Sequence, residues 1–347
     1  MAYTTINKPS LHFNTKTYAG NGGSQAITGV GFQPDFTWIK HREDVSNHRL
    51  FDAIRGVNKN IKSNDTQGEI TASDQLMSFD SDGFTLGADG SVNGTGAAGI
   101  VAWNWKANGQ GSSNTDGSIN TTYTSVNTTA GFSIITYTGT GSAGTIGHGL
   151  GVKPDFWQIK ARSETRAWYG WHKDLSLGDK ITLNESGAKT TDTSLFGTNA
   201  PTNQVINLGA SVGVNNSGQT FVCYAFAEKT GYSKAGLYTG NDSLDGPFCY
   251  TGFKPAFVLI KKKDQTASWF IMDNKRDPHN EMIRDLRPDL TDAENANTTY
   301  NDLDFVSNGF KIREDNGDMN ASGQDYIYLA FAEAPLVGSN NVPCTAR

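Results

Sequence analysis

Three ten-residue strings constrain the architecture more than any other property of the chain. GFQPDFTWIK at 31–40, GVKPDFWQIK at 151–160 and GFKPAFVLIK at 252–261 keep a Gly, a Pro, a Phe, an Ile and a closing Lys at the same offsets. A Tyr-x-Gly step precedes each, at Tyr18, Tyr137 and Tyr238, and twelve residues beyond each closing Lys stands Asp52, His172 or Asp273. Each copy ends in an apolar string, IVAWNW, FVCYAF or YIYLAF. Self-similarity at a fixed period marks one supersecondary unit used several times. The 347 residues, enough for two or three ordinary domains, are therefore read as three copies of one unit.

The expected unit is a sandwich. Gly, Ser, Thr and Asn rival the apolar residues in number, charged residues make up only 18%, and aromatic residues are 11%. That mixture excludes a coiled coil and a charged disordered chain. Past each Pro, which belongs near the start or edge of a strand, residues of both parities are apolar, as in Phe36 and Trp38 against Thr37 and Ile39. A strand apolar on both faces is covered on both faces. The fold class is thus all-β, as three tandem β-sandwich or jelly-roll-like repeats. The expected boundaries are 1–106 for the first repeat, 107–117 for a flexible linker (ANGQGSSNTDG), 118–229 for the second repeat, 230–335 for the third and 336–347 for a tail. No comparable linker precedes the third unit, so the second and third are expected to pair. Hairpins are expected to open the first unit, at YTTI and LHFNTKTY, and the second, at NTTYTSV and FSIITYTG. Tyr-x-Gly reads as a strand end whose Gly permits positive φ. The Gly-rich stretch 139–151 reads as a flexible loop, and helical turns are expected only within 277–300.

Charge and cysteine content narrow the partners. A net charge of -6 gives no cationic field for nonspecific nucleic-acid binding, so no nucleic acid is expected. Cys223, Cys249 and Cys344 are odd in number and lack CxxC spacing, which points to free thiols made in a reducing cytosol. No window approaches the ~18 apolar residues of a spanning helix, and no leader is visible, so no membrane insertion is expected. Among acids, Asp80 with Asp82 (FDSDGF) and Asp315 with Asp318 (REDNGD) are spaced for glycosidase or weak Ca²⁺ chemistry, but their Gly contexts favour hairpin turns. The six histidines form no HExxH or His-x-His pair, and no cofactor is expected. A position that alternates among Asp52, His172 and Asp273 reads as a structural hydrogen-bonding site. Trp168 and Trp269 share one repeat position and read as packing. Trp157, Trp168, Tyr169 and Trp171 are the candidate platform for a sugar or a partner protein, with buried sandwich aromatics as the competing reading.

GFxPDFxWIK, HRLFDAIRG, SFDSDGFTLG, the closing AWNWKA or LAFAE and the tail FAEAPLVGSNNVPCTAR together resemble uncharacterised structural proteins of tailed bacteriophages, many of them marine and from phages of cyanobacteria. The resemblance spans nearly all of residues 1–335 and implies a virion component made in the host cytoplasm, often tail-fibre-like, with no defined catalytic residues. The second copy departs from it by lacking the SFDSDGF acids. The expected function is a non-enzymatic part of a tail fibre or appendage contacting the host surface. Its expected partners are other virion proteins, further copies of itself (a trimer, by analogy with fibres) and a host surface glycan. A capsid decoration or tail adaptor protein is the alternative, and a polysaccharide-degrading tail enzyme ranks lower.

Overall fold

The computed structural model describes residues 2–95, 99–295 and 302–343. Cys344, the last residues of the tail and residues 296–300 of the segment expected to hold helical turns lie outside them. The fold is all-β. Each copy builds an antiparallel main sheet from an opening strand, a second, a third and a closing strand, in the spatial order opening, closing, second, third. In the first copy these are Phe13–Tyr18, Phe36–His41, Arg49–Asp52 and Ile100–Trp105. In the second they are Phe132–Thr138, Phe156–Ala161, Tyr169–His172 and Thr220–Phe226, with Tyr123–Asn127 added beyond the opening strand. In the third they are Ser233–Thr239, Phe253–Lys262, Trp269–Asp273 and Asp325–Pro335. Registers agree: Phe36 lies opposite Trp105, Phe156 opposite Phe226 and Phe257 opposite Phe331.

Both faces of each main sheet are covered, as the apolar parity requires, but by different partners. In the first copy the outer face, with Ile39, Phe51, Ile100 and Ala102, is covered by a three-stranded sheet carrying Ile27, Leu76, Phe84 and Leu86. The inner face, with Phe36, Trp38, Trp103 and Trp105, belongs to one core that also takes Phe156, Tyr224 and Phe226 of the second copy and Phe257, Leu259 and Phe331 of the third. Trp105, Phe226 and Phe331 hold equivalent places and meet edge to face in a triangle, with centroids 6.4, 5.6 and 5.7 Å apart. Such contacts add about 0.5–1.5 kcal/mol per pair beyond burial. The three repeats therefore form a closed ring around a shared aromatic axis, and the second and third are no more a pair than any other two.

Tyr-x-Gly serves a purpose other than positive φ. The hydroxyls of Tyr18, Tyr137 and Tyr238 donate to the carbonyls of Val92, Val214 and Met319, inside the four-residue helices Gly90–Asn93, Val212–Asn215 and Gly317–Asn320. The glycine two residues on lies so close to the chain leaving that helix that a Cβ on Gly20, Gly139 or Gly240 would sit 2.2–2.4 Å from a carbonyl oxygen. Close approach, not φ, demands glycine there.

Several other expectations change. The opening hairpin of the second unit forms, with Tyr123–Asn127 paired to Phe132–Thr138. That of the first does not: residues 3–7 cross to the third repeat, where the Tyr3 hydroxyl donates to the Gly252 carbonyl. The stretch 107–117 is fastened, since Asp35 accepts the Ala107 and Gly109 amides and Ser112 bridges Thr124. Within 139–151, Gly144–Gly147 is a strand paired with Val205–Leu208. Residues 277–295 contain no helix, because the Asp277 carboxylate takes the amides of Ile283 and Arg284 and Leu286 bridges to Ile271 instead.

Candidate functional site

Asp52, His172 and Asp273 hold the ring together. Asp52 accepts the Tyr224 hydroxyl of the second repeat at 2.6 Å, and Asp273 accepts the Trp103 indole N–H of the first at 3.0 Å. Tyr224 and Trp103 occupy the same register position, and there the third repeat has Leu329, which offers no polar atom. The residue that faces it is accordingly not Asp but His172, whose Nε2–H donates to the Tyr328 carbonyl. The compensation extends three residues on. Arg55 and Arg276 pair with their carboxylates while fully buried, and beside His172 the corresponding residue is Leu175. The alternation seen in the sequence is thus a matched set of joints.

Each joint is completed in the same way. The amides of Glu69, Lys189 and Glu294 donate to the carbonyls of Arg162, Lys263 and Arg42 in the next repeat, and Arg166, Ala267 and Ser46 return a bond to Thr66, Ser186 and Thr291. Trp168 and Trp269 donate their indole N–H to the Lys62 and Thr182 carbonyls, and His48 bonds the Arg287 carbonyl at their shared position. The closing lysines are buried there too. Lys160 and Lys261 reach the carbonyls of Thr66 and Ser186 across a joint, whereas Lys40 stays on those of His41 and Asp44. Burial pushes all three ammonium groups down to about 8.

The aromatic platform is not at the surface. Trp157 stacks on Trp171 at 4.7 Å beneath Phe196, Trp168 is fully buried in a joint, and Trp171 spends its N–H on the Ser176 carbonyl. Tyr169 is half-buried under the Lys180 ammonium. Trp157, Trp168 and Trp171 therefore belong to the interior, and of the four only Tyr169 keeps part of its ring in contact with solvent. Asp80 and Asp82 sit at the expected hairpin, where Asp82 accepts the Gly29 and Gly31 amides, which holds its carboxyl below the usual range, and Asp80 accepts Ser78 and Thr85 hydroxyls. Asp315 and Asp318 flank no hairpin; Asp315 is exposed ahead of a short helix that Asn316 caps by accepting the Asp318 amide. Among the described residues no three His, Cys, Asp or Glu converge as metal ligands. No helix there is long and apolar enough to cross a membrane.

The third repeat departs from the other two on both sides of one cleft. Eleven residues separate the bridged pairs Leu50 with Ile61 and Gly170 with Ile181, but fifteen separate Ile271 from Leu286. The extra loop docks on the outer small sheet: Met282 and Leu303 exchange backbone bonds, and the Asn280 amide bonds both backbone groups of Phe305. At the opposite wall, Ala256 stands where Asp35 and Asp155 hold the chain leaving the closing strand. Without that carboxylate the closing strand runs on to Pro335, pairing past a bulge at Pro255 and bringing Glu333 to Lys254 at 2.7 Å. Between the walls lies a cleft of about 420 Å³ lined by Lys254, Lys275, Asp277, Pro278, His279, Met282, Phe305 and Glu333, among others.

Residues 8–335 fit the family described as Domain of unknown function (DUF7483). The chain belongs to that family. The match begins ahead of the first opening strand and ends with the third closing strand, so the family's unit is the whole ring and not a single repeat. No curated protein matches the sequence.

Of the cleft residues, Lys254 lies in GFKPAFVLIK and Glu333 in FAEAP, whereas Lys275, His279, Met282 and Phe305 belong to no motif. The readable signals were the Asp-to-Ala change in GFKPAF and the longer third-copy spacing, both visible once the copies are aligned on their strands.

Proposed function

We propose that the chain is a non-enzymatic structural component of a tailed-bacteriophage particle, placed in a tail fibre or similar appendage that meets the host surface. The carrying observation is the use of the chemistry-bearing side chains at the joints. Asp52, His172, Asp273, Arg55 and Arg276 are consumed in bonds that lock three sheets into one rigid body, which suits a load-bearing part. The motif resemblance supplies the particle, and the third-repeat cleft supplies a surface that differs from the rest of the ring. A capsid decoration or tail adaptor is the second reading. It is favoured by the ring itself, which presents near-threefold form within one chain and would seat on a threefold axis without two further copies.

Electron microscopy of particles carrying a gold-binding tag after Arg347 tests both readings. Label along a tail appendage supports the first, label on capsid faces or at a tail joint shifts the assignment to the second, and a purified particle without the chain overturns the proposal. Release of new reducing ends from host polysaccharide by the isolated chain would replace it with an enzymatic role.

A further inference from the structure

The third-repeat cleft is built from two departures that cooperate, the longer loop after Asp273 and the loss of a carboxylate at Ala256. Its polar lining divides into groups already satisfied and groups left over. Asp277 is held by the Ile283 and Arg284 amides and by the Arg284 guanidinium, and Glu333 by Lys254. Asn280 is spent on Phe305. Lys275 and His279 are exposed and, among the described residues, their side chains have neither an ion-pair nor a hydrogen-bond partner. The Lys275 backbone is pinned, its amide donating to Asp273, so the joint residue also fixes the lysine's place at the cleft. Pro278 is exposed, and Met282 and Phe305, both buried, complete the apolar part of the lining.

We propose that this cleft binds a sugar ring bearing one anionic substituent, the carboxylate or phosphate lying on Lys275 and His279 and the apolar face of the ring on Pro278 and the small exposed edges of Met282 and Phe305. A cleft of about 420 Å³ has room for one such ring together with displaced water. One free ammonium and one free imidazole, with both wall carboxylates already neutralised, favour a ligand of negative charge. The exposed Pro278 beside Lys275 and His279 favours a sugar ring over a bare anion. The sugar's origin in a host glycan rests on the proposed function; the binding itself does not.

Calorimetric titration of the isolated full-length chain with D-glucuronate, glucose 1-phosphate, glucose and acetate tests it. Saturable binding of glucuronate, glucose 1-phosphate or both is expected, with glucose and acetate at least about tenfold weaker; which anionic sugar binds better assigns the substituent. Lys275→Ala and His279→Ala should each weaken that binding by about tenfold, the worth of one charge-assisted bond, with unchanged thermal unfolding. Acetate binding as well as the sugars, no anionic sugar binding at all, or binding indifferent to both substitutions would overturn the proposal. None of these results bears on where the chain sits in a particle, which the labelling experiment decides separately.

Discussion

Three buried imidazoles share one chemical state. His48 accepts the Trp38 indole N–H on Nδ1, His172 the Asp174 amide and His148 the Leu150 amide, while Nε2 faces the carbonyls of Arg287, Tyr328 and Thr202. An acceptor Nδ1 leaves the proton on Nε2, so each ring is neutral and a second proton has no place to go. Burial pushes His172 down to about 3, His48 well below the ordinary range and His148 down as well. In the unfolded chain these rings protonate near pH 6.5. Between that pH and the folded value the unfolded state binds more protons, so stability rises with pH across the window and is lost as pH falls. Asp302, pushed up to about 6 by burial and neighbouring acids, works in the opposite direction, as do Asp35 and Asp289, which burial also raises. Urea midpoints from pH 8 to pH 4 should fall, and His172→Leu, although less stable at pH 8, should flatten the fall; an undiminished slope would contradict this account of His172.

Gln158 is the other telling residue. It occupies the position of Trp38 and Leu259 and lines an apolar void of about 40 Å³ on the axis, with both amide atoms buried and lacking a protein partner. A buried unsatisfied group costs about 1–3 kcal/mol. Gln158→Leu, which copies the third repeat, should therefore raise stability by about 1 kcal/mol or more in chemical denaturation; a loss would show that the amide is satisfied on the axis. The strand holding Gln158 was legible from its apolar parity. The shared inner face was not, because parity says that a face is covered and not what covers it.

The joints belong to the scale of elements. Tyr224→Phe should cost about 1–3 kcal/mol, since it removes a hydrogen bond to a buried carboxylate. Asp52→Ala should cost more, about 3–5 kcal/mol, because Arg55 is left buried without its partner. A double-mutant cycle between Asp52 and Tyr224 should show clear coupling across the two repeats, and additive losses would mean the bond does not join them. The Asp, His, Asp alternation was readable as structural from the copies alone. Its partners were not, because Tyr224, Tyr328 and Trp103 lie in closing strands of other copies, and a linear comparison aligns each joint with itself and never with its neighbour. The same blindness hid the purpose of Tyr-x-Gly, whose partner helix of four residues is too short to leave a periodic signal. It also made residues 107–117 look loose, since Asp35, which fastens them, stands some seventy residues earlier.

For the whole molecule, three main sheets share one strand order, and the first and third also pack an outer core of their own, with Ile27, Phe84 and Leu86 in one and Phe310, Ile312 and Met319 in the other. Sandwiches strung in series would share nothing more. Instead Trp105, Phe226 and Phe331 are buried only by one another and by their neighbours. One repeat taken alone would expose its inner face to water, so folding and ring closure are one event. Differential scanning calorimetry tests this most directly. A single transition with equal calorimetric and van't Hoff enthalpies is expected for the intact chain; two or three separable transitions, each assignable to one repeat, would contradict a ring built on a common core.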